Sequence, residues 1–271
     1  MTLNVWNDQG DSGARIGVIN AGLRRLEPDL VALQEVLSTE HAARLLAGTG
    51  LRVTHQEEVM GVRAPGVETY GGNAVGVRFP HRVVEALDLR GVGAPDVPWG
   101  TLAVTVGVPG VGELLFIAPT TAFRLEAEAE REREVLALSD LESRHRRELP
   151  TVIAGDFNAG PEAGSMRYLT GKQSLSGRST WFHDAWEIAG AGDGFTWSDE
   201  NPNAAADIGY LARQPRHRRR IDYVLVGAPW AHPKAYARVR AAELVFDAPG
   251  DGVWASDHFG VLADLDIGLL G

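Results

Sequence analysis

The chain contains no cysteine, so neither a disulfide nor a thiolate metal site is available, and any metal must be held by oxygen or imidazole. It has no apolar run of membrane-spanning length and no basic-then-apolar leader at Met1. Neither a transmembrane helix nor a secretory signal is therefore expected, and the chain reads as soluble and cytoplasmic. Positive charge is in short supply. Lys and Arg number 26 against 36 Asp and Glu, a formal net charge of -10. Broad attachment to nucleic acid draws mostly on Lys and Arg neutralising phosphates, so this balance argues against it. No Gly-x-x-x-x-Gly-Lys-Ser/Thr loop, no Gly-x-Ser-x-Gly elbow and no His-Glu-x-x-His pair occurs. Gly71-Gly72-Asn73 is too short for a dinucleotide fingerprint and reads as a turn before a strand.

At 271 residues and 44% hydrophobic content, the chain suits one large domain over residues 1–271. Thr2 to Trp6 reads as a first strand so near Met1 that a trimmed amino terminus, or a start codon placed downstream of the true one, is expected. Ser12 can cap a helix to Leu26, where Ile16, Ile19, Leu23 and Leu26 recur at helical spacing and Pro28 stops it. Leu30 to Leu33 is an interior strand ending at Gln34-Glu35, and strands follow near 51–55, 73–79, 82–87, 101–108 and 114–118. Residues 125–149 form a long charged surface helix with Val135, Leu138 and Leu141 on one apolar face. Further strands are expected at 151–154, 220–226, 237–245 and 258–265. Many strands, few helices and short strand connections favour mixed α/β with two sheets over a parallel doubly wound sheet. Of two basic clusters, Arg144–Arg147 ends a polar helix and reads as solvated surface. Arg216–Arg220 leads into a buried-looking strand, where holding an anion and lying in solvent weigh equally.

Five segments concentrate polar chemistry within or beside strands. Asp156 and Asn158, in Gly155-Asp156-Phe157-Asn158, share a side if the strand Val152-Ile153-Ala154 continues, which would give one acid and one amide to a single phosphate. The same residues are also ordinary turn formers. Glu35 ends an otherwise apolar strand, where a carboxylate is costly unless paired, hydrogen-bonded or metal-bound; emergence into solvent is the alternative. Asn4 sits between Leu3 and Val5, where its amide needs partners. Ser256-Asp257-His258 opens the last apolar strand, and Asp257 and His258 would diverge if extended. Asp222, before a separate strand, can hold the His258 imidazole in one tautomer.

In order, Leu3-Asn4-Val5-Trp6, Pro28 through Val36, Gly72-Asn73-Ala74 through Pro80, Gly155 through Asn158, Arg220-Ile221-Asp222-Tyr223 and Ser256-Asp257-His258 resemble the endonuclease/exonuclease/phosphatase superfamily. The resemblance runs nearly the full length. It implies a four-layered α/β sandwich, two face-to-face mixed sheets flanked by helices (DNase I-like), with the site where strand ends of both sheets meet. It implies Glu35 as ligand of Mg²⁺ or Mn²⁺, with Asn4 and Asp257 in the metal environment. His258, oriented by Asp222, is either the general base or a phosphate contact; Asp156 orients or deprotonates the attacking water, and Asn158 binds a phosphate oxygen. Asn73, Arg124 and Arg220 complete the expected substrate contacts.

The chain departs from the family where many members carry Thr-His-Leu after the strand ending at Ile117; here the segment reads Ala118-Pro119-Thr120-Thr121-Ala122-Phe123-Arg124. The following Gln of the family corresponds to Glu134, with Arg131 retained. Three consequences are open: slower leaving-group protonation, replacement by Thr121 or Arg124, or a preference for good leaving groups. The expected activity is Mg²⁺-dependent hydrolysis of a phosphodiester or phosphomonoester. A small-molecule or lipid-like substrate is favoured over nucleic acid, with no membrane span. A nuclease of the same fold, using Arg216–Arg220 with Trp181, Trp186, Trp197 and Trp254, and a non-catalytic scaffold are the alternatives. Substrate choice is expected in the loops 57–70, 91–100, 171–179 and 198–216.

Overall fold

Alternation of side chains along each strand decides which faces are buried, and here both faces of the central strands are apolar. The computed structural model describes residues 1–61, 70–93 and 99–271; most of the loops 57–70 and 91–100 lies outside the described residues. In chain order the strands are β1 (Thr2–Asn4), β2 (Leu30–Val36), β3 (Arg52–His55), β4 (Gly72–Val77), β5 (His81–Asp88), β6 (Gly100–Val108) and β7 (Gly112–Ala118). They continue with β8 (Val152–Asp156), β9 (Phe182–Asp184), β10 (Trp197–Ser198), β11 (Arg218–Arg219), β12 (Asp222–Gly227), β13 (Ala235–Val245) and β14 (Gly260–Leu269).

Two six-stranded sheets result, ordered β13-β14-β1-β2-β4-β3 and β5-β6-β7-β8-β12-β9, with β10 and β11 paired separately. Both are mixed, because β1 runs parallel to β2 and β7 parallel to β8 while their other described pairings are antiparallel. Leu102, Val104 and Val106 of β6 join Val75, Val77, Phe116 and Val224 in the layer between the sheets, whereas the intervening Ala103 joins the opposite face. That period-two switch fixes the register, since a one-residue slip would exchange the two faces.

Helices cover the outer faces. On the first sheet, α1 (Ser12–Leu26) and α2 (Thr39–Leu45) lay Ile19, Leu23, Ala42 and Leu45 over Val31 and Leu33. A short α3 (Gln56–Met60) follows β3. On the second sheet, α4 (Glu128–His145) and α5 (Gly164–Leu169) lay Val135, Leu138, Leu141 and Met166 over Leu115, Ile117 and Ile153. The four-layered arrangement expected from the sequence is thus present.

The differences from expectation are local. The cap of α1 is Asp11, whose carboxylate accepts from the Ala14 N–H, not Ser12. The charged helix starts at Glu128 rather than near Leu125, because Arg131 holds the carbonyls of Ala122, Arg124 and Leu125 outside the helix. The final strand starts at Gly260, two residues after His258. Arg144, Arg146 and Arg147 face Glu85, Glu142 and Glu113, so that cluster is ion-paired rather than simply solvated. Among the described residues no helix is long and apolar enough to cross a membrane.

Candidate active site

Asn4 closes β1, Glu35 lies one residue from the end of β2, Asp156 closes β8 and Asp222 opens β12 directly opposite Asp156. The bend 256–258 leads into β14, beside β1. Strand ends of both sheets therefore converge at one edge of the sandwich. They surround a cavity of about 430 Å³ lined by Asn4, Glu35, Asp156, Asn158, Asp257 and His258, with Asp222 behind His258.

Glu35 is aimed by a bulge. Between Leu33 and Val36 the register with β4 shifts, and Glu35 takes a left-handed backbone at φ 59°. Such a conformation is disfavoured for a residue with a Cβ and persists where surrounding structure enforces it. The opposing Gly71, itself at φ 72°, allows the approach: a Cβ there would stand 2.4 Å from the Glu35 carbonyl carbon. The Glu35 carboxylate accepts from the Asn4 amide at 3.0 Å and, through its other oxygen, from the Asn7 amide at 3.0 Å. Burial, then the Asp257 charge, pushes its pKa up to about 8.

The Asn4 amide nitrogen also donates to Asp156 Oδ2 at 3.2 Å, so one side chain joins the two sheets. Its oxygen accepts from Trp6 N at 2.9 Å, which turns the NH₂ group toward the carboxylates. Asp156 Oδ1 accepts from the Asn158 N–H at 2.9 Å. Burial, then the facing Asp222, pushes Asp156 up to about 7. The chain does not continue as a strand to Asn158, which has φ 49°. The turn and the site are the same object: the Asp156 side chain closes the turn that delivers Asn158 to the cavity.

Asp222 Oδ2 lies 2.9 Å from His258 Nδ1, and Asp222 Oδ1 is buried without a hydrogen-bond partner. Burial works against a charge on His258, but Asp222, Asp257 and Asp156 together hold its pKa well above the usual histidine value. Among the described residues, Asp156, Asp222 and His258 bring ligand atoms within 4.8 Å of one another. Asp257 and His258 do not diverge as an extended strand would require. Ser256 Oγ donates to Asn4 O at 2.6 Å and accepts from His258 N at 3.2 Å, a tight bend that turns both side chains into the cavity.

Three expected substrate contacts lie elsewhere. Asn73 is fully buried; its amide donates to Gly100 O at 3.1 Å and accepts from Thr120 Oγ1 at 2.6 Å, so it ties strands together. Arg220 points away from the cavity into a buried ion pair with Asp184 at 2.7 Å, over the Tyr223 ring. Arg124 is half-exposed, near Glu126 and Glu130 at 3.8 and 3.9 Å, and does not line the cavity. The basic residue of that run facing the cavity is Arg219, which donates to Asn158 O at 2.6 Å. Alternation from Arg220, at the mouth of an extended segment, was the signal for it. Of the four tryptophans considered for stacking, Trp197 alone lines the cavity.

Two positioning residues lacked any motif. Buried Arg15 donates to the carbonyls of Val5, Trp6, Asn7, Gln9 and Ala255, clamping the left-handed turn that presents Asn7. Thr196 Oγ1 accepts from the N–H groups of Ile221 and Asp222.

The sequence model of the Endonuclease/Exonuclease/phosphatase family matches residues 1–258. The chain belongs to this family. It is a phosphoester hydrolase of the DNase I-like fold. No curated protein matches it. Solved structures similar to it include D. rerio TDP2 complexed with a single-strand DNA product, at 17% identity and TM-score 0.71 over 98% of this chain and 97% of that one. Another is an endonuclease/exonuclease/phosphatase from Bacteroides vulgatus, at 19% identity and TM-score 0.66 over 98% and 97%. A Beutenbergia cavernae member has 23% identity and TM-score 0.60 over 98% of this chain and 70% of its own. At these identities the likeness is one of fold.

Thr121 lies in the segment where many members of the family carry Thr-His-Leu. Its hydroxyl donates to Phe157 O, and its N–H donates to Asp156 O at 3.1 Å. With its proton spent on a carbonyl, Thr121 cannot donate to a substrate phosphate. Glu134, in place of the family Gln, accepts from Ala122 N at 2.9 Å and leaves its other oxygen buried without a hydrogen bond. Burial pushes its pKa up from 4.5 to about 7. Below about 4.5 the carboxyl is protonated in both folded and unfolded chains and costs nothing; as pH rises toward 7 the fold loses stability, and above 7 the ionised group is a constant cost. Glu134→Gln is accordingly expected to raise stability at pH 8 by on the order of 3 kcal/mol, or several degrees of melting temperature, with no gain near pH 4. Thermal melts of both proteins across pH 4–8 measure this.

Proposed function

We propose that the chain hydrolyses phosphoesters with a divalent cation, Mg²⁺ or Mn²⁺, by in-line attack of water on phosphorus. The observation carrying this reading is the Glu35 carboxylate, bound by two neutral amides, beside Asp257 and facing the Asp156–His258–Asp222 group. Among the described residues no Lys or Arg forms an ion pair with Glu35 or Asp257. A hard-oxygen set with no Lys or Arg ion partner among the described residues, and only the more distant charges of His258 and Arg15 nearby, fits a hard dication. Glu35 and Asp257 would hold it, with Asn4 fixing Glu35. When bound, such a cation neutralises negative charge growing on phosphoryl and leaving oxygens.

The remaining roles follow from protonation state. Asp156, brought to about 7 by burial and Asp222, is matched to accept the proton of the attacking water near neutrality. His258, held protonated, donates from Nε2 to a non-bridging phosphoryl oxygen, while Asp222 keeps Nδ1 engaged. Because Asp156 and His258 group together, the proton acceptor and the phosphate contact can serve one phosphoryl group. Asn158, anchored by donation to Thr121 O at 3.0 Å, contributes a further phosphate contact.

The test uses metal-stripped protein on a generic phosphodiester and a generic phosphomonoester, with and without Mg²⁺ or Mn²⁺. Cleavage that needs the cation is expected, and the faster ester separates diesterase from phosphatase. Equal rates with and without cation would refute the reading. A nuclease is the second reading, favoured by the D. rerio relative bound to a DNA product and by Trp197 and Tyr210 in the cavity wall. Oligonucleotide cleavage that falls steeply with salt would select it.

A further inference from the structure

One wall of the cavity plays no part in the chemistry above. Tyr70, Trp99 and Phe123, from three separate segments, pack with ring centroids 5.8 to 6.4 Å apart. Trp99 is 2% exposed and forms the floor, while Tyr70 and Phe123 keep 39% and 37% of their surface open. The wall is tied to the reacting groups from both sides. Gly71, next to Tyr70, is packed on the Glu35 backbone, and Thr121, two residues before Phe123, donates to Asp156 O and Phe157 O.

Charge restricts what can lie there. The cavity lining holds four acids, Glu35, Asp156, Asp207 and Asp257, against Arg219 and His258. Arg219 is engaged with Asn158 O, and His258 belongs to the reacting phosphate. Among the described lining residues, a second substrate phosphate would face carboxylates with no further cationic side chain to receive it. An uncharged flat group would instead stack on the open rings.

We propose that Tyr70, Trp99 and Phe123 form a subsite for the flat, uncharged organic group of an ester that carries a single phosphate. This rests on the phosphoester-hydrolase reading of the same site and names its substrate class.

The experiment reads binding, independently of turnover. Phenylphosphonate and methylphosphonate are titrated by calorimetry into wild-type protein in Mg²⁺, then into Tyr70→Ala, Phe123→Ala and Phe123→Tyr. Wild type is expected to bind the phenyl compound at least about tenfold more tightly. Each alanine variant should reduce that ratio below about threefold, with Phe123→Tyr retaining it, which also shows that a change at this position is tolerated by the fold. A wild-type ratio near one, or a ratio unchanged in both alanine variants, overturns the subsite. A preserved ratio in a protein that never turns over any phosphoester would instead count against the hydrolase reading while leaving the subsite in place.

Discussion

Glu35→Gln is expected to abolish cation-dependent turnover, by roughly 10³-fold or more in kcat/KM, while leaving a better-folded protein when no cation is present. The first effect follows from removing the carboxylate that would hold the dication, whose contribution to the transition state is several kcal/mol. The second follows from Glu35's own pKa. Burial and Asp257 raise it to about 8, so the ionised form costs stability in the cation-free fold, increasingly as pH rises from 4.5 to 8 and fully above. Glutamine keeps the shape and sheds the charge. Melting curves at pH 8 should show Glu35→Gln above cation-free wild type, and added Mg²⁺ should raise wild type only. If Mg²⁺ stabilises both proteins equally, Glu35 is not the ligand.

His258→Ala is expected to lower kcat/KM by about 10²–10⁴, the usual range for a proton-handling side chain. Asp222→Asn should fall in the lower part of that range, because it releases Nδ1 from its 2.9 Å partner while leaving the ring in place. The informative protein is the double variant. Since Asp222 acts through His258, the double variant should be no slower than His258→Ala by more than about threefold. Multiplied losses would mean that Asp222 serves the substrate directly.

Candidate residues on both sheets were readable from sequence for one reason: Glu35 and Asp156 sit where an apolar strand stops and His258 just before one starts, and a polar group there must find a partner. What could not be read was direction. Asp257 and His258 were expected to diverge, yet Ser256 folds the chain into a bend. Arg220 and Arg219 differ by one position, and that step decides between a buried ion pair with Asp184 and the cavity. Asn73 carried a family-like motif but is consumed by contacts to Gly100 and Thr120. The strands of the two sheets were legible because period-two apolar runs mark them. Short elements such as β9, α3 and α5 were not, since three to six residues carry too little pattern to separate from a loop. Arg15 and Thr196 act through backbone carbonyls and N–H groups, which no side-chain motif announces.

The Asn4 amide, shared between Glu35 on one sheet and Asp156 on the other, makes the site a gauge of the spacing between the two layers. A slip of about 1 Å between the layers would stretch its 3.2 Å bond to Asp156 beyond useful length, although neither sheet would have lost a strand. Turnover should therefore fade under mild denaturant before the circular dichroism of the strands changes. In this molecule, activity is a more sensitive reporter of interlayer packing than any measure of secondary structure.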